Sequence, residues 1–200
     1  MLHPKEKALI KREIIKLPSG KLLSVNDLSA LFKKLHRGVY KDKETFCIEG
    51  ERCNKIAFIV SGYMYSSYRL ENGNENTTSL FFTPLCRIVC DYYSLKSKGV
   101  STGTIRAVKK VILIWMYITD LEALFDTNPA FKDIARLLVD KCYNEKIVSV
   151  EVFRRMGNEE KIREFFRMFP KLYGKYSNII IGSFLGVDRR EVSFIYALIP

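Results

Sequence analysis

Long apolar runs are missing from this sequence. The run from Val111 to Tyr117 falls far short of the roughly 20 residues a membrane-spanning helix needs. Met1 to Lys16 mixes Lys, Arg and Glu with scattered apolar residues and lacks the apolar centre and small-residue cleavage site of a secretion signal. These absences lead us to expect a cytoplasmic chain with no membrane partner. Histidine is scarce: His3 and His36 stand alone, and His36 is read as closing a helix, where a cation suits the dipole. No Walker loop, G-x-S-x-G or H-E-x-x-H is present, so an enzyme is not expected. The five cysteines, Cys47, Cys53, Cys86, Cys90 and Cys142, are odd in number and contain no C-x-x-C. Without a secretion signal, disulfides are not expected. Cys86 and Cys90 have helical metal-ligand spacing, but no histidine lies near them. Buried thiols are the better reading, so no metal and no cofactor is called for.

The chain does carry charge and core. Its net charge of +11 suits a polyanionic partner, because each phosphate neutralised by Lys or Arg releases condensed counterions. The excess is spread along the chain and locates no site. Nearly half the residues are apolar, with abundant Phe and Tyr, enough for two small cores in 200 residues.

Three regimes follow one another. Pro4 to Lys16 and Ser24 to His36 have helical apolar spacing and are separated by Pro18-Ser19-Gly20. After Gly38 come short runs rich in Val, Ile, Tyr, Phe and Thr: Thr45–Ile48, Ile56–Val60, Tyr63–Leu70, Asn76–Phe82, Gly103–Ala107 and Val111–Met116. Ser61-Gly62, Asn72-Gly73, Thr83-Pro84 and Val108-Lys109-Lys110 read as breaks between them, which predicts an antiparallel barrel or sandwich. Thr119 with Glu122 then resembles a capping box. From Pro129 to about Arg154 there is neither Pro nor Gly, and a helix of about 25 residues would span nearly 40 Å. Phe131, Ile134, Leu138, Val148 and Val152 follow a 3-4 spacing, interrupted by Lys141 and Glu145. Both a helix lying on the barrel and a dimer seam fit that pattern. Glu159 to Phe169, Asn178 to Leu185 and Asp188 to Leu198 read as three further helices.

The last unit has the parts of a helix-turn-helix. Gly182 lets the first helix approach the second. Gly186 supplies the left-handed turn between Leu185 and Val187. Asp188 and Glu191 are placed as a capping box, and Val192 and Ile195 face inward. Arg189, Arg190 and Ser193 then lie on the exposed start of the second helix, the part that enters the major groove in such motifs. An ordinary helical hairpin with solvated arginines fits the local pattern equally well.

From about Leu28 to Ala197 the order of these parts resembles the Crp/Fnr regulators. Phe46-Cys47-Ile48-Glu49-Gly50-Glu51 and Ile56-Ala57-Phe58-Ile59-Val60-Ser61-Gly62 are similar to the family's sensor strands and turn glycines. Thr104-Ile105-Arg106-Ala107 looks like the strand after the ligand cassette. Glu160-Lys161-Ile162 to Phe169-Pro170-Lys171-Leu172 resembles the helix and turn before the motif. Ile181-Gly182-Ser183-Phe184-Leu185-Gly186-Val187 resembles "I-A-x-x-L-G-h".

The resemblance implies an α+β fold: an N-terminal antiparallel β-roll with flanking helices (residues 1–128), a long dimerisation helix (129–154) and a winged-helix-like helix-turn-helix domain (155–200). It implies a homodimer that binds double-stranded DNA at a near-palindromic operator, with RNA polymerase as a further partner. Arg189, Arg190, Ser193 and Tyr196 would face DNA, supported by Lys171 and Lys175. Ile134, Leu138, Val148 and Val152 would form the dimer helix. The family's cyclic-nucleotide binders use Gly-Glu on a short helix and Arg-Ser or Arg-Thr before the next strand. Here these stretches read Asp91-Tyr92-Tyr93-Ser94-Leu95 and Ser101-Thr102-Gly103. Without the Arg, a buried cyclic phosphate loses its charge-assisted partner. Tight cAMP or cGMP binding is therefore not expected. Tyr93, Ser101 and Thr102 remain as the pocket for a small effector, or the roll is a scaffold without a ligand. The family's Ser-Arg-x-Arg is replaced by Ser193-Phe194-Ile195-Tyr196, so the alternative is a sensing or protein-interaction module that has lost specific DNA binding.

Overall fold

The computed structural model describes residues 2–82 and 87–199; the side chains of 96, 141–143 and 145–150 stand outside that description. Cys86 and the Thr83-Pro84 break lie outside the described residues, and Val148 and Cys142 lie among the undescribed side chains.

Helix α1 (Pro4–Ile15) opens on His3, whose ring accepts from Lys5 N–H while Glu6 reaches back to the His3 N–H. Helix α2 (Val25–Lys34) opens on Ser24, closed reciprocally by Asp27. It stops at Lys34, and β1 (His36–Tyr40) begins at once. His36 therefore does not close a helix. Its ring stacks on Trp115 at 4.5 Å, and β1 pairs with the strand that carries Trp115. Periodicity alone could not separate α2 from β1, because no turn residue lies between them.

The remaining strands are β2 (Thr45–Cys47), β3 (Lys55–Arg69), β4 (Glu75–Phe81), β5 (Ile88–Val89) and β6 (Thr104–Tyr117). β3 and β6 form a long antiparallel pair. β1 and β2 flank β6, while β4 and β5 flank β3. Two of the expected breaks are bulges inside these long strands. At Ser61-Gly62 the register shifts, and a Cβ on Gly62 (φ +102°) would sit 2.8 Å from the Lys110 carbonyl oxygen. Opposite it, Lys109 adopts φ 58°, and its N–H bonds Asp42 at 2.7 Å. Bulges bend a strand without ending it, so four of the expected short strands are two long ones. The Asn72-Gly73 turn joins β3 to β4, with Gly73 at φ +81°.

The sheet is buried on both faces. Inside the roll lie Ala57, Ile59, Met64, Val89, Ile105, Val111 and Leu113. Residues one step out of phase on β3 and β6, Ile56, Phe58, Ile114 and Met116, face the helices and pack with Ile10, Ile14 and Leu31. Helix α3 (Tyr92–Ser97) caps one end of the roll. Helix α4 (Ile118–Thr127) follows β6 directly. Tyr117 is its N-cap and has no side-chain bond, so the Thr119–Glu122 box is not formed. Helix α5 (Ala130–Arg154) has the expected extent. Phe131 and Ile134 pack beside Leu124 in the N-terminal core, whereas Phe153 enters the C-terminal core.

Helices α6 (Asn158–Met168), α7 (Asn178–Leu185) and α8 (Arg189–Leu198) surround Phe165, Phe166, Ile181 and Val192. Among the described residues from 155 to 199 no strand occurs, so the helix-turn-helix stands there without a β wing. Leu80 and Phe82 from β4 and the residue after it belong to this same core. The Tyr176 hydroxyl lies 2.9 and 3.0 Å from the carbonyl oxygens of Met64 and Phe81, a cross-strand pair. Ser183 on α7 accepts from the Thr77 N–H at 2.7 Å and donates to the Glu75 carbonyl at 3.1 Å. These bonds occupy the free edge of β4, which would otherwise offer itself to another strand.

No helix among the described residues is long and apolar enough to cross a membrane.

Candidate nucleic-acid interface and effector cassette

The α7–α8 pair follows from its glycines and caps. Gly186 takes φ +69° at the turn, and its αL geometry costs a glycine little. A Cβ on Gly182 would meet the Val187 carbonyl oxygen at 2.8 Å, so only glycine allows this closeness of the two helices. Asp188 caps α8 by accepting from the Arg190 N–H at 2.7 Å. Glu191 does not reach back to complete a box; it accepts from Asn158 at 2.9 Å and so ties α8 to α6.

Val192 and Ile195 are buried, leaving an exposed face with Arg189, Arg190, Ser193, Phe194 and Leu198. Among the described residues no ion pair engages either arginine. Lys171 and Lys175, also exposed, add positive charge on the segment before α7. Ser193 is more constrained. It donates to the Arg189 carbonyl at 2.9 Å and accepts from Asn178 at 2.8 Å. Tyr196 is placed differently from the sequence expectation. Its ring packs tilted against Tyr173 at 4.8 Å and edge-on against Phe166 at 5.3 Å, turned into the helical core. The 3.6-residue period puts it beside Val192 rather than beside Phe194. Phe194, by contrast, is 66% exposed, and Leu198 one turn on is 53% exposed.

The residues read as a dimer seam are largely used within the chain. Ile134 is buried in the N-terminal core. Leu138 packs partly against that core, and Val152 partly against the C-terminal one. The seam spacing is here the spacing of one helix spanning two cores.

The expected effector residues also separate. Tyr93 is 57% exposed and Thr102 is exposed. Only Ser101 is buried, and its hydroxyl is 2.9 Å from Asp91 and 2.7 Å from the Gly103 carbonyl. Asp91 organises this end of the roll. It is itself buried, caps α3 by accepting from the Ser94 N–H, and accepts the Ser101 hydroxyl. Ser94 in turn donates to the Gly99 carbonyl at 2.7 Å and accepts from the Cys53 N–H at 3.1 Å. The sequence signal for Asp91 was its N-cap position three residues before Ser94. Arg106, the cation on the nearby strand β6, lies 3.3 Å from Glu75 and 3.1 Å from Ser67.

No family model and no curated protein matches the chain. Solved structures do. FixK2 of Bradyrhizobium japonicum superposes with a TM-score of 0.70 at 15% identity, covering 82% of this chain and 83% of that one. A Crp/Fnr-family regulator from Eubacterium rectale gives 0.69 at 14%, covering 90% and 84%. The c-di-GMP-responsive regulator CLP of Xanthomonas campestris gives 0.68 at 12%, covering 88% and 91%. The fold is that of the Crp/Fnr regulators: a β-roll, a long connecting helix and a C-terminal helix-turn-helix.

Proposed function

We propose that the protein is a divergent Crp/Fnr-type transcription regulator that binds double-stranded DNA. The observation carrying this reading is the pair Arg189 and Arg190, exposed and without an ion-pair partner among the described residues, on the first turn of α8 in a helix-turn-helix. A guanidinium there takes guanine O6 and N7 with two parallel bonds or grips a phosphate. The net charge of +11 favours the approach to a polyanion. Ser193, held by Asn178, serves as a shaped surface between the arginines and Phe194. A homodimer through α5, where Leu137 is half-exposed, would place two α8 helices on a near-palindromic site. Regulation by contact with RNA polymerase in the cytoplasm follows from the same family reading.

The roll is not a cyclic-nucleotide sensor in this proposal. The Asp91 carboxylate occupies the start of α3 and engages the Ser94 N–H and the Ser101 hydroxyl, so a second anion there would meet like charge. Any effector would be neutral and would have to displace this network.

Selection of genomic fragments on the purified protein at about 150 mM salt, where non-specific binding weakens, tests the proposal. An enriched near-palindromic motif supports it, and retention of DNA without sequence preference overturns it. One observation favours a second reading. Phe194 and Leu198 form an exposed apolar pair one turn apart, the mark of a protein contact. Tyr196 takes no part in that patch.

A further inference from the structure

Three non-glycine residues among the described ones adopt a positive φ, and all three are lysines: Lys43 at 61°, Lys98 at 56° and Lys109 at 58°. A side chain in that region is uncommon, and glycine or asparagine is its usual occupant. Two of the three lie in one corner of the roll. The turn that carries Lys43 leads into β2, and Lys109 sits in the bulge of β6, the strand with which β2 pairs. The Lys43 N–H bonds the Ala107 carbonyl at 2.9 Å, and the Lys109 N–H bonds the Asp42 carboxylate at 2.7 Å. Lys41 and Lys110, beside them in sequence, complete the corner, and all four lysines are exposed. Its two carboxylates are both engaged by the main chain: Asp42 by Lys109, and Glu44 by the Lys41 N–H at 2.8 Å. Among the described residues no ion pair engages any of the four ammonium groups.

This corner adjoins the helix-turn-helix domain. Val108, next to Lys109, packs against the C-terminal core and pairs across the sheet with Tyr63. The Tyr63 ring meets Tyr176 at 5.7 Å, and Tyr176 lies between the exposed Lys175 and the Ser177 cap of α7. Cations therefore run from the segment before α7 onto the roll. A duplex lying on α8 carries one negative charge per about 1.7 Å of axis, so it continues past the motif as a line of phosphates.

We infer that Lys41, Lys43, Lys109 and Lys110 form a second contact with DNA, gripping backbone phosphates that flank the stretch met by α8. The inference rests on the DNA-binding reading and adds the roll to the interface. A lysine ammonium binds phosphate as a point charge and makes no demand on base sequence. Glycine at either left-handed position would relieve the backbone and lose the cation, so lysine there works against local preference.

The test measures affinity for a mixed-sequence duplex of about 40 base pairs over a series from about 50 to 200 mM salt. Wild type is compared with the corner variant Lys41→Ala/Lys43→Gly/Lys109→Gly/Lys110→Ala. A control, Lys5→Ala/Lys11→Ala/Lys21→Ala/Lys33→Ala, loses the same charge from exposed lysines of the N-terminal helical segments. Each phosphate contact contributes about 0.9 to the slope of log affinity against log salt, so the corner variant should lose about 2 to 4 units of slope and the control less than about 1. At about 100 mM salt the corner variant should bind at least about tenfold more weakly. Its thermal midpoint should equal or exceed that of wild type, because both glycines fit their φ values and the Asp42 and Glu44 bonds go to main-chain N–H groups. Lys41→Ala/Lys110→Ala leaves both left-handed positions untouched and should show about half the change in slope.

A corner variant with the wild-type slope, or a control that loses as much, overturns the inference. Arg189→Ala/Arg190→Ala on the same duplex separates it from the reading it rests on. If only the arginine variant loses affinity, α8 binds DNA and the corner does not. If only the corner variant loses it, the corner contact stands and the reading of α8 falls. A wild type that binds no duplex at about 50 mM salt overturns both.

Discussion

The two ends of the molecule that sequence reasoning singled out handle their polar groups in opposite ways. At the α3 end of the roll, Asp91, Ser94 and Ser101 are buried, and each spends its hydrogen bonds on the others or on backbone. On α8, Arg189 and Arg190 are exposed and engage no ion pair among the described residues. Burying a polar group costs free energy unless its partners are supplied, so the cassette is held together by internal bonds and has little left for a ligand. Exposed guanidinium groups keep their hydrogen-bonding capacity for whatever arrives. The comparison teaches that the cassette is built as structure, while α8 leaves its two guanidinium groups uncommitted.

The comparison breaks most visibly at α8. The double variant Arg189→Ala/Arg190→Ala should lose operator binding by about 100-fold or more, since each base or phosphate contact contributes about 1–3 kcal/mol. Its thermal midpoint should stay close to wild type, because neither side chain supports the fold. Fluorescence anisotropy across a salt series checks this, and the slope of affinity against salt should also shrink. Unchanged affinity would remove these residues from the interface.

The converse holds at the cassette. Asp91→Ala should destabilise the chain by about 2 kcal/mol, because the Ser94 N–H loses its buried acceptor and the Ser101 hydroxyl keeps only the Gly103 carbonyl. Urea denaturation measures it. DNA affinity of the folded fraction should be unchanged. A loss below about 0.5 kcal/mol would mean that water replaces the carboxylate and that the cassette is open after all.

Between the two ends lies the clasp on β4. Ser183→Ala removes one acceptor from the Thr77 N–H and one donor from the Glu75 carbonyl, at an edge that solvent can reach. The expected cost is about 1 kcal/mol. Hydrogen exchange at Thr77 should accelerate while exchange at Ile59, deep in the roll, stays slow. Equal acceleration at both would show that the roll and the helical domain unfold as one unit.

How much of this was legible in the sequence depends on the distance over which each feature is decided. The Gly182–Gly186–Asp188 turn and the extent of α5 are local, and they were readable from caps, glycines and the absence of Pro. The long strands were not. A glycine or a pair of lysines marks a bulge and a turn alike, and only the pairing of β3 with β6 distinguishes them. Tyr196 was misplaced because its neighbours on α8 say nothing of Phe166 and Tyr173, which come from α6 and the segment after it. The dimer stripe on α5 failed to discriminate for a related reason: Ile134 and Val152 have seam spacing but face two different cores of the same chain. Asp91 is the organising residue of the cassette that the pattern undervalued. Its cap was visible, but its bond to Ser101 depends on how the chain folds back between them.

The smallest expected effect lies at the N-terminus, where one charged group is buried as Asp91 is, but with a cation beside it. Glu6 is 8% exposed and accepts from Arg37 at 2.7 Å and from the His3 N–H at 2.8 Å. Burial pushes its carboxyl up, yet the bonds from Arg37 and His3 outweigh this and leave it below the ordinary glutamate value of 4.5. A carboxylate whose folded value is depressed contributes stability that is fully present above its unfolded value and is lost as pH falls through the folded one. Unfolding free energy should therefore decline below about pH 4.5 in part through Glu6. Arg37→Met removes the cation and leaves only the His3 contacts to oppose burial, so the Glu6 value should rise. The variant should lose stability at neutral pH and lose less of the remainder on acidification than wild type does at this site. Urea midpoints at pH 7 and pH 4 for the two chains give the sign. A parallel pair of pH dependences would mean that the Glu6–Arg37 contact is made equally in the unfolded chain, and that only the α1 cap distinguishes Glu6 from a surface carboxylate.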